Sequence, residues 1–401
     1  MYSRQRYIDK IIPFIDKPLI KVITGMRRSG KSTILKLLTL HLEYMGISSE
    51  RIIYISMESI DNSSFLDYLE LHRFVKEKKK KTKGKLYIFI DEVQEVYCWE
   101  KLVNSLLADE DADVYVTGSN SKLLSGEFAT LISGRYIELN VYPLTFSEYS
   151  FFREHAKEKS VLFNEFLQYG GMPGIHSLYL QKDNVYQYLS AVSDSVILKD
   201  VVARNKIRDV GLLSKLLLFV ADNIGNTFSG RNIAKYLKNQ RRSLSVETIY
   251  NYMSYLETAL IINSVPRYDL KGKKLLETCE KYYFTDLGFR HVLLGYKEQD
   301  INAYLENIVY IELRERGYSV TIGKFDNYEI DFIAKKYDQM IYVQVCYLLA
   351  DNKVRERETR VLNKIRDNYP KYLLTMDKVP ESNINGIIHQ YLPDWLSYTL
   401  P

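Results

Sequence analysis

Short apolar runs alternate with stretches of helical period over the first 150 residues. Residues 19–24 form a strand candidate, residues 33–38 begin a helical pattern, and residues 86–90 are apolar at every position, as a strand covered on both faces must be. Residues 114–117 and 136–141 continue the series as further strands. The alternation predicts an α/β fold built on a parallel sheet. From residue 209 the pattern changes to three helical segments, 209–224, 230–237 and 246–258, the last preceded by Ser245 as N-cap with Glu247 in its first turn. Strand-like residues 260–266 and 282–284 follow and flank Lys271-Gly272-Lys273-Lys274. The last third mixes both periods: a helix over 302–316, strands over 319–322, 329–334 and 341–345, a helix over 353–366 and a strand over 372–375.

An apolar content of 46% over 401 residues, with both charge signs abundant, describes a globular protein with room for two or three domains. Cys98, Cys279 and Cys346 have no paired spacing, which argues against a disulfide framework or a zinc knuckle and fits a reducing cytoplasm. The first residues are charged throughout, and no run approaches the ~18 apolar residues of a membrane span, so neither export nor anchoring is expected. The six histidines lack the i, i+4 pairing of a metal site. The net charge of +5 is unevenly placed, because residues 206–275 carry twelve Lys and Arg against five Asp and Glu. The thirty-four tyrosines are spread everywhere and read as core and half-buried surface. The lysine-rich run 76–85 is either a phosphate-backbone contact or, more simply, a solvated loop.

Candidate chemistry begins between the first strand and the first helix, at Gly25-Met26-Arg27-Arg28-Ser29-Gly30-Lys31-Ser32, followed by Thr33. The order is strand, GxxxxGK[ST], helix. Glycines let backbone N–H groups wrap phosphates, and the helix N-terminus adds its positive end. In that geometry Lys31 reaches the β and γ phosphates and the Ser32 hydroxyl holds Mg²⁺. The all-apolar strand ends in Asp91-Glu92 at its carboxyl end, where Asp91 supports the Mg²⁺ shell and Glu92 polarises the attacking water. The Asn-Lys pairs at 205 and 363 continue Ile-Arg and the one at 352 continues Val-Arg, so the NKxD mark of guanine specificity is missing and ATP is the expected nucleotide. After the strand at 114–117, Ser119 or Asn120 places a polar side chain near the γ-phosphate. Arg135, just before the next strand, either reaches a neighbouring subunit's phosphate or makes an ordinary surface salt bridge.

The strings GMRRSGKS, IFIDEVQ, VTGSNS, SGRYIELNVYPLTFSEY and, at 169–174, YGGMPG together resemble the prokaryotic AAA-type ATP-binding proteins that carry a C-terminal domain of unknown function. The resemblance runs over nearly the whole chain and departs at Met26, where the family usually has Pro. It implies an ATPase core followed by a winged helix and a nuclease-like fold, and no particular reaction. The residues support the same division. Three helices and a basic hairpin are the winged helix-turn-helix order, with Thr248, Tyr250, Asn251 and Ser254 towards a major groove and Arg241, Arg242, Lys271, Lys273 and Lys274 on phosphates of double-stranded DNA. The bland alternative is a lid that packs on the ATPase.

The last third follows the restriction-endonuclease-like order, with Glu306 and Asp331 as metal ligands or as salt-bridged core residues. Where such sites carry (Glu/Asp)-x-Lys, this chain has Gln344-Val345-Cys346, which keeps the spacing on one strand face and loses the chemistry, so DNA cleavage is not expected. The expected organisation is a P-loop ATPase core over 1–150, a helical lid over 151–205, a winged helix-turn-helix over 206–290 and a restriction-endonuclease-like domain over 291–401. ATP and Mg²⁺ are the expected ligands. Two functions fit best, a DNA-associated ATP-driven switch or a protein-directed regulatory ATPase without DNA binding, either of them alone or as a homo-oligomer; an ATP-dependent nuclease is the remaining alternative.

Overall fold

A computed structural model describes residues 3–108, 112–124, 132, 134–153, 157–239, 245–378 and 380–397, and divides the chain into two units: Met1–Val141 with Thr258–Leu260, and Tyr142–Glu257 with Ile261–Pro401. In the first unit the apolar runs become strands β1 (Ile20–Gly25), β2 (Ile52–Ser56), β3 (Leu86–Asp91), β4 (Ala112–Gly118) and β5 (Tyr136–Val141). They pair in parallel in the order β2-β3-β4-β1-β5. Parallel neighbours require crossovers, which helices α1 (Gln5–Ile11), α2 (Lys31–Tyr44), α3 (Tyr68–Lys81) and α4 (Trp99–Ala108) supply or flank. The two-residue period of a strand sorts the core. Val22, Ile88, Ile90 and Val116 pack on one face with Leu71 and Val75 of α3 and Leu102 and Leu106 of α4. Ile23, Phe89 and Tyr115 pack on the other with Ile34 and Leu38 of α2 and Tyr7 and Ile11 of α1. Carboxyl ends of β1, β3 and β4 therefore lie side by side along one edge of the sheet.

The lysine run differs from its expectation as a loop. Lys76 to Lys81 form the last turns of α3, and only residues 82–85 connect that helix to β3. Leu71 and Val75 anchor the buried stripe, lysine is a good helix former, and cations suit the negative end of the helix.

In the second unit one mixed sheet has the order β12-β13-β11-β10-β9-β8-β6-β7. Its strands are β6 (Ile262–Asp269), β7 (Lys274–Phe284), β8 (Ser319–Phe325), β9 (Tyr328–Lys336), β10 (Gln339–Val345), β11 (Lys371–Thr375), β12 (Ser382–Ile384) and β13 (Ile387–Tyr391). The three helices expected before the basic hairpin are present at Val210–Asp222, Gly230–Asn239 and Val246–Thr258, and Ser245 Oγ accepts the Thr248 N–H at 3.1 Å as a cap. The hairpin β6–β7 is not free-standing. Arg267, Tyr268 and Asp269 of β6 pair in parallel with β8, so the hairpin continues the sheet of the last third.

The LTFSEY and GGMPG strings meet in one buried junction of this unit. Thr145 and Glu148 form a reciprocal capping box on the helix Phe146–Phe152. Gly170 has φ +74°, and a Cβ there would stand 2.2 Å from Asp286 Oδ1, while a Cβ on Gly171 would stand 2.2 Å from the Leu144 carbonyl oxygen. Asp286 accepts the Gly171 N–H at 2.6 Å and caps its own helix by accepting the Gly288 N–H at 2.8 Å. An amide in its place would turn one donor towards a donor. Asp286→Asn is therefore expected to destabilise this unit by about 1–3 kcal/mol, measured by urea unfolding at pH 8.

Nearby His291 is buried, and its Nε2 bonds the Leu167 carbonyl at 2.9 Å. Burial lowers its pKa to about 4, from 6.5. The unfolded chain takes that proton near pH 6.5 and the folded chain only near 4, so the stability is complete above 6.5 and is lost as pH falls to 4, about 3 kcal/mol in all. Asp286 acts in the opposite sense, since burial raises its pKa to about 7 despite the two amides. The expected result is a urea midpoint whose acid-side fall is shallower in His291→Gln than in the parent.

Candidate nucleotide site

The loop between β1 and α2 is shaped by close approach. A Cβ on Gly25 would stand 2.3 Å from the Val141 carbonyl oxygen, which only glycine tolerates. Arg28 and Gly30 take left-handed conformations, φ +67° and +102°, and Gly30 is the N-cap of the fourteen-residue α2. The α2 N-terminus and its orphan N–H groups therefore end at this loop. Ser29 is fully buried and its Oγ has no hydrogen-bond partner. Arg27 pairs at the rim with Glu58, at 3.1 Å.

Lys31 does not point to solvent. Its Nζ donates to Ser119 Oγ at 2.7 Å and to the Met26 carbonyl at 3.2 Å, and lies 3.6 Å from Glu92 Oε1. Ser119 in turn donates to Glu92 Oε1 at 2.7 Å, and Gln94 Nε2 donates to Glu92 Oε2. All of Lys31, Glu92 and Ser119 are buried. Burial lowers the Lys31 pKa against the pull of Glu92 and Asp91. For Glu92 burial pushes upward, but Lys31, the donors Ser119 and Gln94, and Arg27 outweigh it and hold the carboxyl below its ordinary value. Glu92 is thus a carboxylate at neutral pH, and it sits in the left-handed region at φ +59°, a conformation that stores strain where the chain re-aims a side chain.

Asp91 is held by two hydroxyls: Thr117 Oγ1 donates to Oδ1 at 2.6 Å and Tyr54 donates to Oδ2 at 3.2 Å. Thr117 Oγ1 also accepts the Glu92 N–H at 2.8 Å, so one side chain of β4 orients both acidic residues. Ser32 and Thr33 follow in the first turn of α2, both half-buried. Of the two sensor candidates, Ser119 touches Lys31 and Glu92, and Asn120 is buried beside it in sequence. Arg135 lies apart. It is exposed, its carbonyl accepts the Ile20 N–H at 3.0 Å, and the loop begins at the other end of β1, at Gly25. Five residues of strand put it roughly 17 Å from its own loop, farther than an arginine side chain reaches.

Thr117, Tyr54 and Gln94 belong to this site and escape a reading of the sequence. Thr117 is inside the VTGSNS string, the last residue but one of β4 and two before Ser119. Tyr54 lies on β2, a five-residue strand with no motif.

The second unit gathers a different cluster. Lys281 of β7 lies 3.3 Å from Glu306 and 2.8 Å from Glu329, and Tyr283 donates to Glu306 at 2.9 Å. Asp331 accepts the Val345 N–H at 2.8 Å, and Gln344 bonds the Asp331 amide and Glu358. Burial raises the pKa of both Glu306 and Asp331, and Lys281 opposes it. Of the two carboxylates read as metal ligands or as salt-bridged core residues, Glu306 is ion-paired with Lys281 and Asp331 is buried on the Val345 N–H, and among the described residues no group of three His, Cys, Asp or Glu is arranged to hold a metal. Burial pushes the Cys346 thiol up to about 11. In the three-helix segment Tyr250, Asn251 and Ser254 are exposed and Thr248 is half-buried, while Lys271, Lys273 and Lys274 are exposed on the hairpin. Arg241 and Arg242 lie outside the described residues.

This fold and loop define an AAA-type P-loop ATPase domain: residues 17–150 match the family model described as AAA domain, and residues 160–300 match Domain of unknown function (DUF8612). An uncharacterized protein of Haemophilus influenzae is 39% identical over 399 residues, 99% of this chain and 98% of that one. One from Methanocaldococcus jannaschii is 31% identical over 367 residues, 86% of this chain and 78% of the other. The chain belongs to the family of these proteins. Among solved structures it is similar in fold to the Walker-type ATPase of Pyrococcus abyssi, with a TM-score of 0.52 and 17% identity over 73% of this chain and 96% of that one. Among the described residues no helix is long and apolar enough to cross a membrane.

Proposed function

We propose that the chain is a cytoplasmic ATPase that binds Mg·ATP on residues 25–33 and hydrolyses it with Glu92 as the base. The observation that carries this reading is the buried contact of Lys31, Ser119 and Glu92, which joins the loop to the ends of β3 and β4. Lys31 binds the β and γ phosphates, Glu92 polarises the attacking water, and Ser119, with Asn120 beside it, reports the γ-phosphate. The oxygen donors Ser32 and Asp91 suit a hard cation, and Mg²⁺ held there would neutralise phosphate charge. The unpartnered Ser29 Oγ is a further donor facing a loop that has no Cβ at Gly25.

ATP occupancy then switches the C-terminal half, and double-stranded DNA is its target. The exposed Tyr250, Asn251 and Ser254, with Lys271, Lys273 and Lys274, support a winged-helix contact with base edges and phosphates. A second reading, a protein-directed ATPase acting alone or as a homo-oligomer, is favoured by the nuclease-like part: its Glu306 is ion-paired with Lys281 and its tripeptide lacks a catalytic lysine. In an oligomer the exposed Arg135 is available to a second copy's site. Phosphate release measured with and without random duplex separates the two. Stimulation of several-fold at 50 mM salt that vanishes by 300 mM is the DNA-associated outcome. Turnover indifferent to DNA is the protein-directed one, and no turnover at all defeats both.

A further inference from the structure

Arg4 is an arginine with 2% exposure, standing at the N-cap of the seven-residue α1 and far in sequence from any motif. Its Nη1 donates to the Ser29 carbonyl at 2.9 Å, and its guanidinium lies over the Tyr7 ring at 4.5 Å from the centroid. Tyr7 is fully buried among Ile23, Ile34 and Leu38, so the arginine is clamped from the core side. Burying a cation so completely is unfavourable unless its partners are well placed.

One of its partners is informative. Ser29-Gly30 is the peptide just before Lys31, and no peptide in the described chain is cis. In a planar trans peptide the C=O and the N–H point in opposite directions. Holding the Ser29 carbonyl towards Arg4 therefore fixes the Gly30 N–H away from it. Without that hold, the unit would be easy to rotate, because Gly30 at φ +102° has no side chain to resist. A reversed peptide would offer a carbonyl where a phosphate needs a donor.

We infer that Arg4 is a positioning residue for nucleotide binding, locking the Ser29–Gly30 peptide in the polarity that presents the Gly30 N–H to phosphate. It acts through the backbone and touches no ligand. This rests on the ATP-binding reading above, and the test keeps the two apart. The full chain, Arg4→Met, Arg4→Lys and Lys31→Ala are titrated with a fluorescent ATP analogue in Mg²⁺, well below their melting temperatures, with circular dichroism as a check on folding. Loss of a charge-assisted hydrogen bond predicts an affinity about 10- to 100-fold weaker in Arg4→Met, with most of it restored in Arg4→Lys, which retains a donor. A merely structural arginine would lower the melting temperature and leave affinity unchanged. If the parent binds and Lys31→Ala does not, parent-like affinity in Arg4→Met overturns the inference alone. If Arg4→Met does not fold, Arg4→Ala, which also removes the donor, is titrated at 4 °C in its place: a Kd shift of about tenfold or more sustains the inference, and parent-like binding with a lowered melting temperature overturns it. No binding by the parent overturns the ATP reading and this inference with it.

Discussion

Glu92→Gln is expected to slow ATP turnover by about 10²- to 10⁴-fold while leaving ATP affinity equal or tighter. The two halves of that result have separate causes. Turnover falls because an amide cannot accept the proton of the attacking water. Affinity holds because Glu92 also competes for the cation that phosphate needs: its Oε1 lies 3.6 Å from Lys31 Nζ and shares Ser119 Oγ with it. A neutral side chain of the same shape loosens that grip and frees Lys31. Lys31→Ala is expected to do the reverse, losing affinity by about 100-fold or more and turnover with it, since a buried, charge-assisted contact to phosphate is removed. Binding titration and single-turnover hydrolysis, run on both variants, separate the effects. Equal affinity losses in the two, or parent-like turnover in Glu92→Gln, would remove Glu92 from the role of base.

Why the loop and the acidic pair are legible in the sequence, while their supports are not, follows from where each side chain gets its orientation. Gly25 to Ser32 and Asp91-Glu92 are positioned by their own strand and helix, so local order carries the information. Thr117, Tyr54 and Arg4 act across the sheet or from another element, and nothing near them in sequence marks the contact. Adjacency of β4 to both β1 and β3 is a property of strand order, and pattern alone does not fix strand order. The same holds in the second unit. Helices and most strands follow from period, yet the parallel pairing of β6 with β8 joins the basic hairpin to the last third, which local pattern separates. Lys281 belongs with Glu306 and Glu329 for the same reason, across three elements. The helical ending of α3 is a different kind of miss: charge density there suggests solvent, and solvent exposure is compatible with helix.

Removing one carboxylate at the opposite end of the sheet is expected to have the largest effect on stability. Asp113 is 1% exposed and Lys21 is fully buried, and the two form an ion pair between neighbouring strands β4 and β1. Asp113 also accepts the Tyr115 hydroxyl at 2.9 Å and the Asp16 N–H at 2.9 Å, while Lys21 donates to the Lys17 carbonyl at 3.1 Å. Burial lowers the Lys21 pKa, with Asp113 as the main opposing pull. Asp113→Ala therefore strands an ammonium, a hydroxyl and an amide in a dry interior, and should destabilise the first unit by about 3–5 kcal/mol. For a domain at the low end of typical stability, roughly 5 kcal/mol, that is enough to leave a sizeable fraction unfolded at 37 °C. Replacing both partners with apolar residues, Lys21→Met with Asp113→Leu, should recover most of the loss, because the penalty comes from the unpaired charge and not from absence of the pair. Urea unfolding of the single and double variants measures both effects. A single-variant loss under about 1 kcal/mol would mean that solvent reaches Lys21 after all. Because the pair lies at the end of β1 away from Gly25, the folded fraction of the double variant should bind ATP as the parent does.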